Sequence, residues 1–187
     1  MHRAGLRHIP CSIARTAHVV GEWWTPLILR DLFAGLSRFE DLRRDLGLAS
    51  NVLADRLATL VEHGIVERRA YQDAPTRYEY VLTAKGRDLF PILMTLIGWG
   101  DRWEAGEAGP PTVLVHDACG RSTTPTLVCG HCGGELRDDT VTTVAGPGGR
   151  TGPGTAVIGP LLAERRARLA TDRRQKTRRP ATRRRHG

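Results

Sequence analysis

The sequence contains no run of eighteen consecutive apolar residues, so no segment of it is expected to cross a membrane as a helix. Its first ten residues hold two arginines and two histidines but no apolar stretch, unlike a secretory signal. Cysteine is scarce, with four in 187 residues, which does not suggest a secreted disulfide scaffold. These absences predict a protein of the reducing cytoplasm.

The residue patterns of catalysis are also missing. We find no paired carboxylates, no Ser/His/Asp set, no phosphate-binding glycine loop and no metal motif with an open coordination position. A redox enzyme built on Cys129 and Cys132 would need a thioredoxin-like βαβ context, which the sequence lacks. The chain is therefore expected to be a binding protein and not an enzyme.

The positive charge is concentrated at the C-terminal end. The net charge is +8, yet residues 161–187 alone carry eleven bases and two acids, whereas the preceding 160 residues carry 17 bases and 18 acids. A Gly/Pro-rich stretch from about residue 144 predicts a flexible linker, with one or two helical turns at 161–170 before a disordered arginine-rich tail. The tail is expected to add non-specific affinity for phosphate, unless it is merely solvated.

Helix signals follow one another from residue 11. Thr25 and Pro26 predict an N-cap and a first-turn proline, and Ser37 with Glu40 predicts a capping box. Ser50 is expected to cap the next helix, in which apolar residues at helical spacing predict one buried stripe. That stripe comprises Leu53, Leu57, Leu60 and Val61. Two short helices, a glycine turn and a longer amphipathic helix predict a helix-turn-helix motif.

The periodicity then changes to alternation. Residues 66–71 and 78–82 alternate on either side of a proline-containing loop at 72–76, which predicts a β-hairpin and hence a wing behind the helix-turn-helix. Thr83 is expected to cap a further helix, kinked at Pro91. The broad apolar face of that helix predicts a dimer interface, with folding back onto the domain's own core as the alternative.

The segment from residue 11 to residue 100 resembles the HxlR-type winged helix-turn-helix regulators, a branch related to the MarR family. The residues that carry the resemblance, in this order and spacing, are Cys11, Gly21-Glu22-Trp23-Trp24-Thr25, Leu27-Ile28-Leu29-Arg30, Arg38-Phe39-Glu40-Asp41-Leu42, Leu53-Ala54-Asp55-Arg56-Leu57, Gly64-Ile65-Val66-Glu67-Arg68, Pro75-Thr76-Arg77-Tyr78-Glu79-Tyr80-Val81-Leu82-Thr83 and Gly86. Ser12 departs from the family, which often has proline there. The resemblance implies a bacterial transcription regulator, commonly a homodimer on palindromic double-stranded DNA, and leaves room for a small-molecule or redox effector.

The second helix of such a motif enters the major groove with its N-terminal residues toward the bases. The residues expected nearest the bases are Ser50, Asn51, Ala54, Asp55 and Arg56. Arginine pairs with guanine and asparagine with adenine, so Arg56 and Asn51 are the main candidates for base reading. Asp55 is expected to orient an arginine. The alternative for Arg56 is an ion pair with Asp55 or another acid.

Four further arginines are predicted to contact the DNA backbone, which positions a protein without specifying sequence. Arg77 belongs to the hairpin tip, and the other three are Arg38, Arg43 and Arg44. One of Trp23 and Trp24 is expected to be buried between the first helices. The competing interpretation of the whole chain is a zinc-containing adaptor that binds a protein partner and does not read DNA.

The cysteines suggest two further features. The resemblance implies that Cys11 could sense oxidants or electrophiles, with Arg7 and His8 lowering its pKa, while a buried inert thiol is the alternative. The other three cysteines belong to two copies of a (His or Cys)-x-x-Cys-Gly unit, which predicts a structural zinc site. Its predicted ligands are His116, Cys119, Cys129 and Cys132, with His131 as a spare. Reduced turn cysteines or a Cys129–Cys132 redox pair are the alternatives.

The predicted fold class is mainly α with a small β-hairpin wing. We divide the chain into an N-terminal arm at 1–10, a winged helix-turn-helix and dimerisation domain at 11–108, a zinc-knuckle-like module at 112–143, and a linker and basic tail at 144–187.

Overall fold

A computed structural model describes residues 3–178 of the chain, with side chains described from residue 5 to residue 171. These residues form two compact units. The first, which we call the winged-helix unit, spans residues 19–136. The second, the terminal unit, joins the residues up to His18 to those from Arg137 onward. Among the described residues, none of the helices combines the length and apolar content needed to span a bilayer.

Helices and one hairpin make up most of the winged-helix unit. In chain order the elements are α1 (Ser12–Val20, which begins in the terminal unit), α2 (Thr25–Phe33), α3 (Phe39–Leu46), α4 (Ser50–Glu62), β1 (Val66–Asp73), β2 (Thr76–Leu82), α5 (Ala84–Arg87), α6 (Phe90–Trp103), β3 (Val115–His116) and β4 (Arg121–Ser122). The largest fully buried side chains are Ile28, Leu29, Leu42, Leu53, Leu57, Leu60 and Val66. The core therefore lies between α2, α3, α4 and the base of the hairpin, and this arrangement confirms the predicted helix-rich fold with a small antiparallel sheet.

The ends of the helices follow the glycines, as predicted. Gly47 adopts a left-handed φ of 62° directly after α3, and Gly64 adopts 64° just beyond α4. An L-residue with a Cβ is strained in that region of backbone space, so glycine is favoured there.

All three predicted hydroxyl caps in the first three helices of the motif are wrong. Thr25 and Ser50 are the first residues of their helices, with Trp24 and Ala49 in the N-cap positions. The Thr25 side chain is instead buried in the core. Arg38 takes the N-cap of α3, because the preceding Ser37 is turned toward the hairpin: its carbonyl accepts from the Tyr80 N–H at 2.7 Å and its hydroxyl donates to Glu79 Oε2 at 3.4 Å.

The hairpin is longer and its loop tighter than predicted. β1 and β2 pair antiparallel from Val66 opposite Leu82 to Asp73 opposite Thr76, with an irregularity between residues 70 and 72. The strands thus run on to a two-residue turn, closed by the Thr76 hydroxyl, which donates to the Asp73 carbonyl at 3.0 Å. Burial is confined to the base, at Val66 and Leu82, so the outer part of the hairpin projects into solvent.

The predicted kink at Pro91 is wrong, although the preceding cap is confirmed. The Thr83 hydroxyl oxygen accepts from the Gly86 N–H at 3.1 Å and so caps α5. The helix then breaks before the proline, and Pro91 lies in the first turn of α6, where its missing N–H costs no hydrogen bond. The buried residue of α6 is Leu93. The exposed large apolar side chains of α6 are Phe90, Ile92, Leu96, Trp99 and Trp103.

The two adjacent tryptophans have different environments. Trp24 is half-buried and packs against the core, whereas the side chain of Trp23 is 88% exposed. The prediction that one of the two is buried therefore holds only in part. The reason is the turn before α2, closed by the Thr25 N–H donating to the Glu22 carbonyl at 3.0 Å, which directs one tryptophan to the core and the other to solvent.

One carboxylate is buried at the junction of α2 and α3. Asp31 is 3% exposed and accepts from Arg30 Nε at 2.8 Å, while the same guanidinium donates to Asp45 at 3.0 Å. Burial raises the pKa of Asp31, against the opposing effect of Arg30, and the neighbouring Asp45 also raises it.

The terminal unit corrects the prediction of a flexible linker and a disordered tail. The Thr155 side chain is buried and donates to the Arg150 carbonyl at 2.8 Å, and the Ala145 N–H donates to the Leu162 carbonyl at 3.0 Å. Further along the chain, helix α7 spans Ile158–Arg178 and is much longer than the predicted one or two turns. Residues 161–178 contain good helix formers and neither glycine nor proline, which explains its length. The end of the predicted tail, residues 179–187, lies outside the described residues.

Candidate nucleic-acid interface

Helix α4 has one side in the core and the other in solvent. Leu53, Leu57 and Leu60 are buried, whereas Val61, predicted to belong to the same stripe, is 38% exposed. On the opposite side, near the N-terminus of the helix, four predicted DNA-contacting residues are exposed: Ser50, Asn51, Ala54 and Asp55. The structure thus presents the helix as a groove-entering element requires, with its polar side uncovered within this unit.

Arg56 differs from these neighbours because it is held by acids of its own unit. Its side chain is 16% exposed, hydrogen-bonds to the Asp55 carboxylate, and places Nε 3.9 Å from Glu22 Oε2. This geometry corresponds to the alternative interpretation of Arg56. It also gives Asp55 the arginine-orienting contact expected of it.

The other predicted arginines are spread over α3 and the hairpin. Arg77 is exposed near the hairpin turn, opposite Gln72. Arg43 pairs with Glu40, Nε to Oε2 at 2.9 Å, and Arg44 is exposed on the same helix. Arg38 is exposed just before that helix.

Two stacking contacts on the hairpin were not expected from the sequence. The guanidinium of Arg68 lies 3.5 Å from the centroid of the Tyr78 ring, and that of Arg38 lies 4.9 Å from the Tyr71 ring. Such cation–π contacts fix an arginine while leaving its charge on the surface. Arg68 was missed because its partner follows from the strand register, and the sequence alone shows only alternation.

The two (His or Cys)-x-x-Cys-Gly units form two similar turns, which we call knuckle 1 (residues 116–120) and knuckle 2 (residues 129–133). In knuckle 1 the His116 carbonyl accepts from the Gly120 N–H at 2.8 Å, and His116 Nδ1 lies 3.4 Å from Cys119 Sγ. In knuckle 2 the Cys129 carbonyl accepts from the Gly133 N–H at 2.8 Å. Among the side chains of residues 5–171, no three of His, Cys, Asp or Glu come together closely enough to hold a metal ion.

Backbone donors surround one of these sulfurs. The backbone N–H groups of His131 and Cys132 hydrogen-bond to Cys129, and these contacts, with the Cys132 side chain, lower the pKa of the Cys129 thiol. Backbone hydrogen bonds to sulfur favour its thiolate form, which is the form that binds metals and reacts.

Cys11 lies in the terminal unit, far along the chain from the knuckles. It is half-buried at the start of α1 and lines a cavity of about 610 Å³ that Arg15, Arg150 and Thr155 also line. Arg7 and His8 are exposed in a short 3-10 helix, Arg3–His8. A sensing role for Cys11 stays a prediction.

Comparison with known proteins supports a single family. A family model for HxlR-like helix-turn-helix proteins matches residues 19–108. An uncharacterized HTH-type transcriptional regulator of Mycobacterium tuberculosis, Rv3095, is 45% identical over 137 residues, covering 73% of this chain and 87% of the relative. Another, sll1512 of Synechocystis sp., is 37% identical over 106 residues, covering 56% of this chain and 78% of the relative.

Two solved structures of similar proteins support the same family assignment. PA1607, a candidate transcription factor, is 34% identical, with a TM-score of 0.69 over 76% of this chain and 99% of that one. PA1374 of Pseudomonas aeruginosa, also a candidate transcription factor, is 40% identical, with a TM-score of 0.54 over 73% of this chain and 93% of that one. The family model matches this chain, the chain covers 87% of a 45% identical regulator, and its exposed α4 is followed by a hairpin. The chain therefore belongs to the HxlR-like helix-turn-helix family of DNA-binding transcriptional regulators.

Proposed function

We propose that the protein is a homodimeric repressor that recognises a palindromic operator. The observation that carries this proposal is the exposed N-terminal face of α4, where Ser50, Asn51 and Asp55 lie opposite buried leucines. An exposed polar helix face of this kind, followed by a hairpin that projects into solvent, suits a helix in the major groove with a wing beside it. The family assignment does not favour the adaptor interpretation.

Base reading is assigned to the part of α4 that its own unit leaves uncovered. Asn51 is exposed in the first turn, and its amide can pair with both N6 and N7 of adenine. Arg56 lies one and a half turns further and is held by Glu22 and Asp55, so it would reach guanine only by leaving those acids. We therefore rank Asn51 above Arg56 as a specificity determinant.

Backbone positioning is assigned to the hairpin and to α3. Arg77 is exposed near the hairpin turn, and Arg68 is fixed over Tyr78 with its charge on the surface. Arg44 is exposed on α3, at the side of the motif that crosses the DNA backbone. These contacts would add affinity for any duplex and set the register of α4.

Dimerisation is assigned to the exposed apolar side chains of α6. Five large apolar residues of a 14-residue helix are at least two-fifths exposed: Phe90, Ile92, Leu96, Trp99 and Trp103. Contiguous apolar surface of this kind commonly marks a protein interface. A second copy of the chain is the occupant that also supplies a second recognition helix, as a palindromic site requires.

The proposal is tested by selecting bound duplexes from a random pool and measuring the mass of the complex. We expect an inverted repeat with half-sites about one helical turn apart, bound by two chains. Leu96→Glu on the exposed face of α6 should give a monomer that loses the paired half-sites, whereas the matched Glu104→Gln, beyond the end of that helix, should not. Placing the selected site across a promoter should lower transcription in a purified system. Recovery of unrelated duplexes by the intact chain would contradict the proposal.

A further inference from the structure

The segment that carries the two knuckles has almost no core of its own. Within residues 112–136, all of which the structure describes, none is buried. Large apolar side chains there remain more than half exposed, among them Val113, Val115 and Leu127. Burial of apolar surface is the main source of stability for a small module, so this segment needs another source, such as a metal ion or a partner.

The segment nevertheless has regular local structure, in two consecutive hairpins. The first pairs β3 with β4, and the second has a bridge between Val128 and Glu135. Each hairpin carries one knuckle at its tip. The link between the hairpins includes Pro125, which packs against Gly98 of α6.

The two knuckles repeat one geometry at equivalent positions. In each, the carbonyl of the first ligand-type residue accepts from the glycine N–H four residues later at 2.8 Å. In each, that glycine is left-handed, with φ of 64° at Gly120 and 73° at Gly133. The equivalences are therefore His116 with Cys129 and Cys119 with Cys132. In knuckle 1 the two side chains face the same side, with His116 Nδ1 3.4 Å from Cys119 Sγ. The matching backbone of knuckle 2 places Cys129 and Cys132 at the equivalent positions.

We propose that a zinc ion joins the two knuckles, with His116, Cys119, Cys129 and Cys132 as its four ligands. One imidazole nitrogen and three sulfurs form the donor set of a closed tetrahedral zinc site, and knuckle 1 already brings two of these donors together as one edge of that tetrahedron. Four protein ligands leave no open position, so the ion would be structural.

Binding of zinc at this site would release protons from the ligand thiols. The three thiols lose their protons to solvent, neutral His116 donates a ring-nitrogen lone pair, and Zn²⁺ with three thiolates carries one net negative charge. No electron is transferred and no oxidant is needed.

Closure of the site requires the two tips to approach each other, since no three His, Cys, Asp or Glu side chains come together in the part of the chain that the structure describes. Nothing buried between residues 112 and 136 holds the tips apart, so the approach would break no core packing. Metal binding would then stabilise the segment in place of a hydrophobic core. The segment also lies within the match to Rv3095, because any 137-residue stretch of a 187-residue chain includes residues 51–137.

The test is the metal content of the full-length chain, purified with a non-thiol reductant and without added metal, followed by cobalt(II) titration of the metal-stripped protein. We expect about one zinc per chain and, with cobalt, the absorption bands of tetrahedral thiolate coordination. Cys119→Ser and Cys129→Ser should lower bound zinc at least tenfold. Cys11→Ser, which removes the cysteine outside the knuckles, should retain it.

The histidine ligand is tested by a second matched pair. His116→Ala should lower the affinity for zinc at least tenfold, whereas His131→Ala should leave it within about twofold. Three results would overturn the proposal. The first is an intact chain with less than one-tenth zinc per chain and no cobalt bands. The second is a Cys129–Cys132 disulfide in metal-free protein that binds no zinc once reduced, and the third is zinc retained by all the knuckle variants. Because the readout is metal and not DNA, it is independent of the proposed repressor function.

Discussion

Arg56 of α4 lies against Glu22 of the turn before α2, with 3.9 Å between Nε and Oε2 and only 16% and 18% of the two side chains exposed. Asp55 hydrogen-bonds to the same guanidinium. The contact ties α4 to the turn before α2 across 34 positions of sequence. To reach a base, Arg56 would have to leave both Glu22 and Asp55.

The Glu22–Arg56 pair should contribute measurably to stability. A double-mutant cycle with Glu22→Gln and Arg56→Ala is expected to give a coupling free energy of about 0.5–1 kcal/mol in chemical unfolding, because both side chains are largely shielded from water. The pair of Arg43 with Glu40 is the control: it is 41% and 65% exposed and should give a coupling near zero. Equal coupling in the two cycles would show that the shielded Glu22–Arg56 pair stabilises the fold no more than an exposed ion pair does.

Replacement of Arg77 by alanine should weaken binding to every duplex to a similar degree. The side chain is exposed near the hairpin turn, where it can meet phosphate, and loss of one phosphate contact lowers the slope of log K against log salt by about one. Arg137→Ala, an exposed arginine of the terminal unit that pairs with Asp139, serves as the control and should leave the slope unchanged. A loss confined to the selected operator, with an unaltered slope, would assign Arg77 to base reading.

Asp31→Asn should stabilise the protein at neutral pH. Burial raises the pKa of Asp31 above its ordinary value of 3.8, so the folded state favours the protonated form and pays a cost for the ionised one. The advantage of the neutral asparagine should be largest near pH 7 and disappear as the pH falls through the folded-state pKa toward 3.8. Thermal unfolding of both proteins between pH 4 and pH 8 measures this difference.

Asp45→Asn is the control for that series, because this carboxylate is 48% exposed and contacts the same Arg30. Its effect on the melting temperature at neutral pH should be smaller, because the Asp45 carboxylate is already in contact with water. A stabilisation by Asp31→Asn that grows on acidification would show that the assigned direction of the Asp31 pKa is wrong.

Truncation after Thr171 should reduce non-specific DNA binding and preserve the choice of operator. It removes residues 172–187, which carry eight basic residues and one acid, but keeps the packed part of the terminal unit around Thr155 and Leu162. We expect at least about tenfold weaker binding to random duplex at low salt, because fewer counterions are released. A chain in which the eight basic residues are replaced by glutamine should behave like the truncated one; if it binds as the intact chain does, charge is not the cause.

The sequence was sufficient for several features that depend on local chemistry, although the caps predicted at Thr25 and Ser50 are wrong. Gly47, Gly64 and Thr83 end or begin helices as predicted, and the buried leucines of α4 follow their spacing. Features that depend on distant residues were missed. Ser37 does not cap α3 because it faces β2, which lies some forty residues later.

Contacts with residues far along the chain also explain the wrong predictions for the Gly/Pro-rich stretch and for Arg56. The Gly/Pro-rich stretch after residue 144 looks flexible by composition, but Thr155 and Gly154 pack within the terminal unit, where Ile9 from the other end of the chain meets the glycine. Arg56 appeared free to read bases because Glu22 is far from it in sequence. Pairing of His116 with Cys119, by contrast, is local and could be read from spacing alone.

If the uncovered face of α4 reads DNA, Asn51 in its first turn should carry much of the discrimination between sequences. The measurement is the ratio of Kd for a scrambled duplex to Kd for the selected operator, at one fixed salt concentration, for the intact chain and for Asn51→Ala. We predict that the substitution lowers this ratio by about five- to 150-fold, the equivalent of about 1–3 kcal/mol of base discrimination, while binding to the scrambled duplex stays nearly constant. An unchanged ratio would show that this face of α4 does not read the bases.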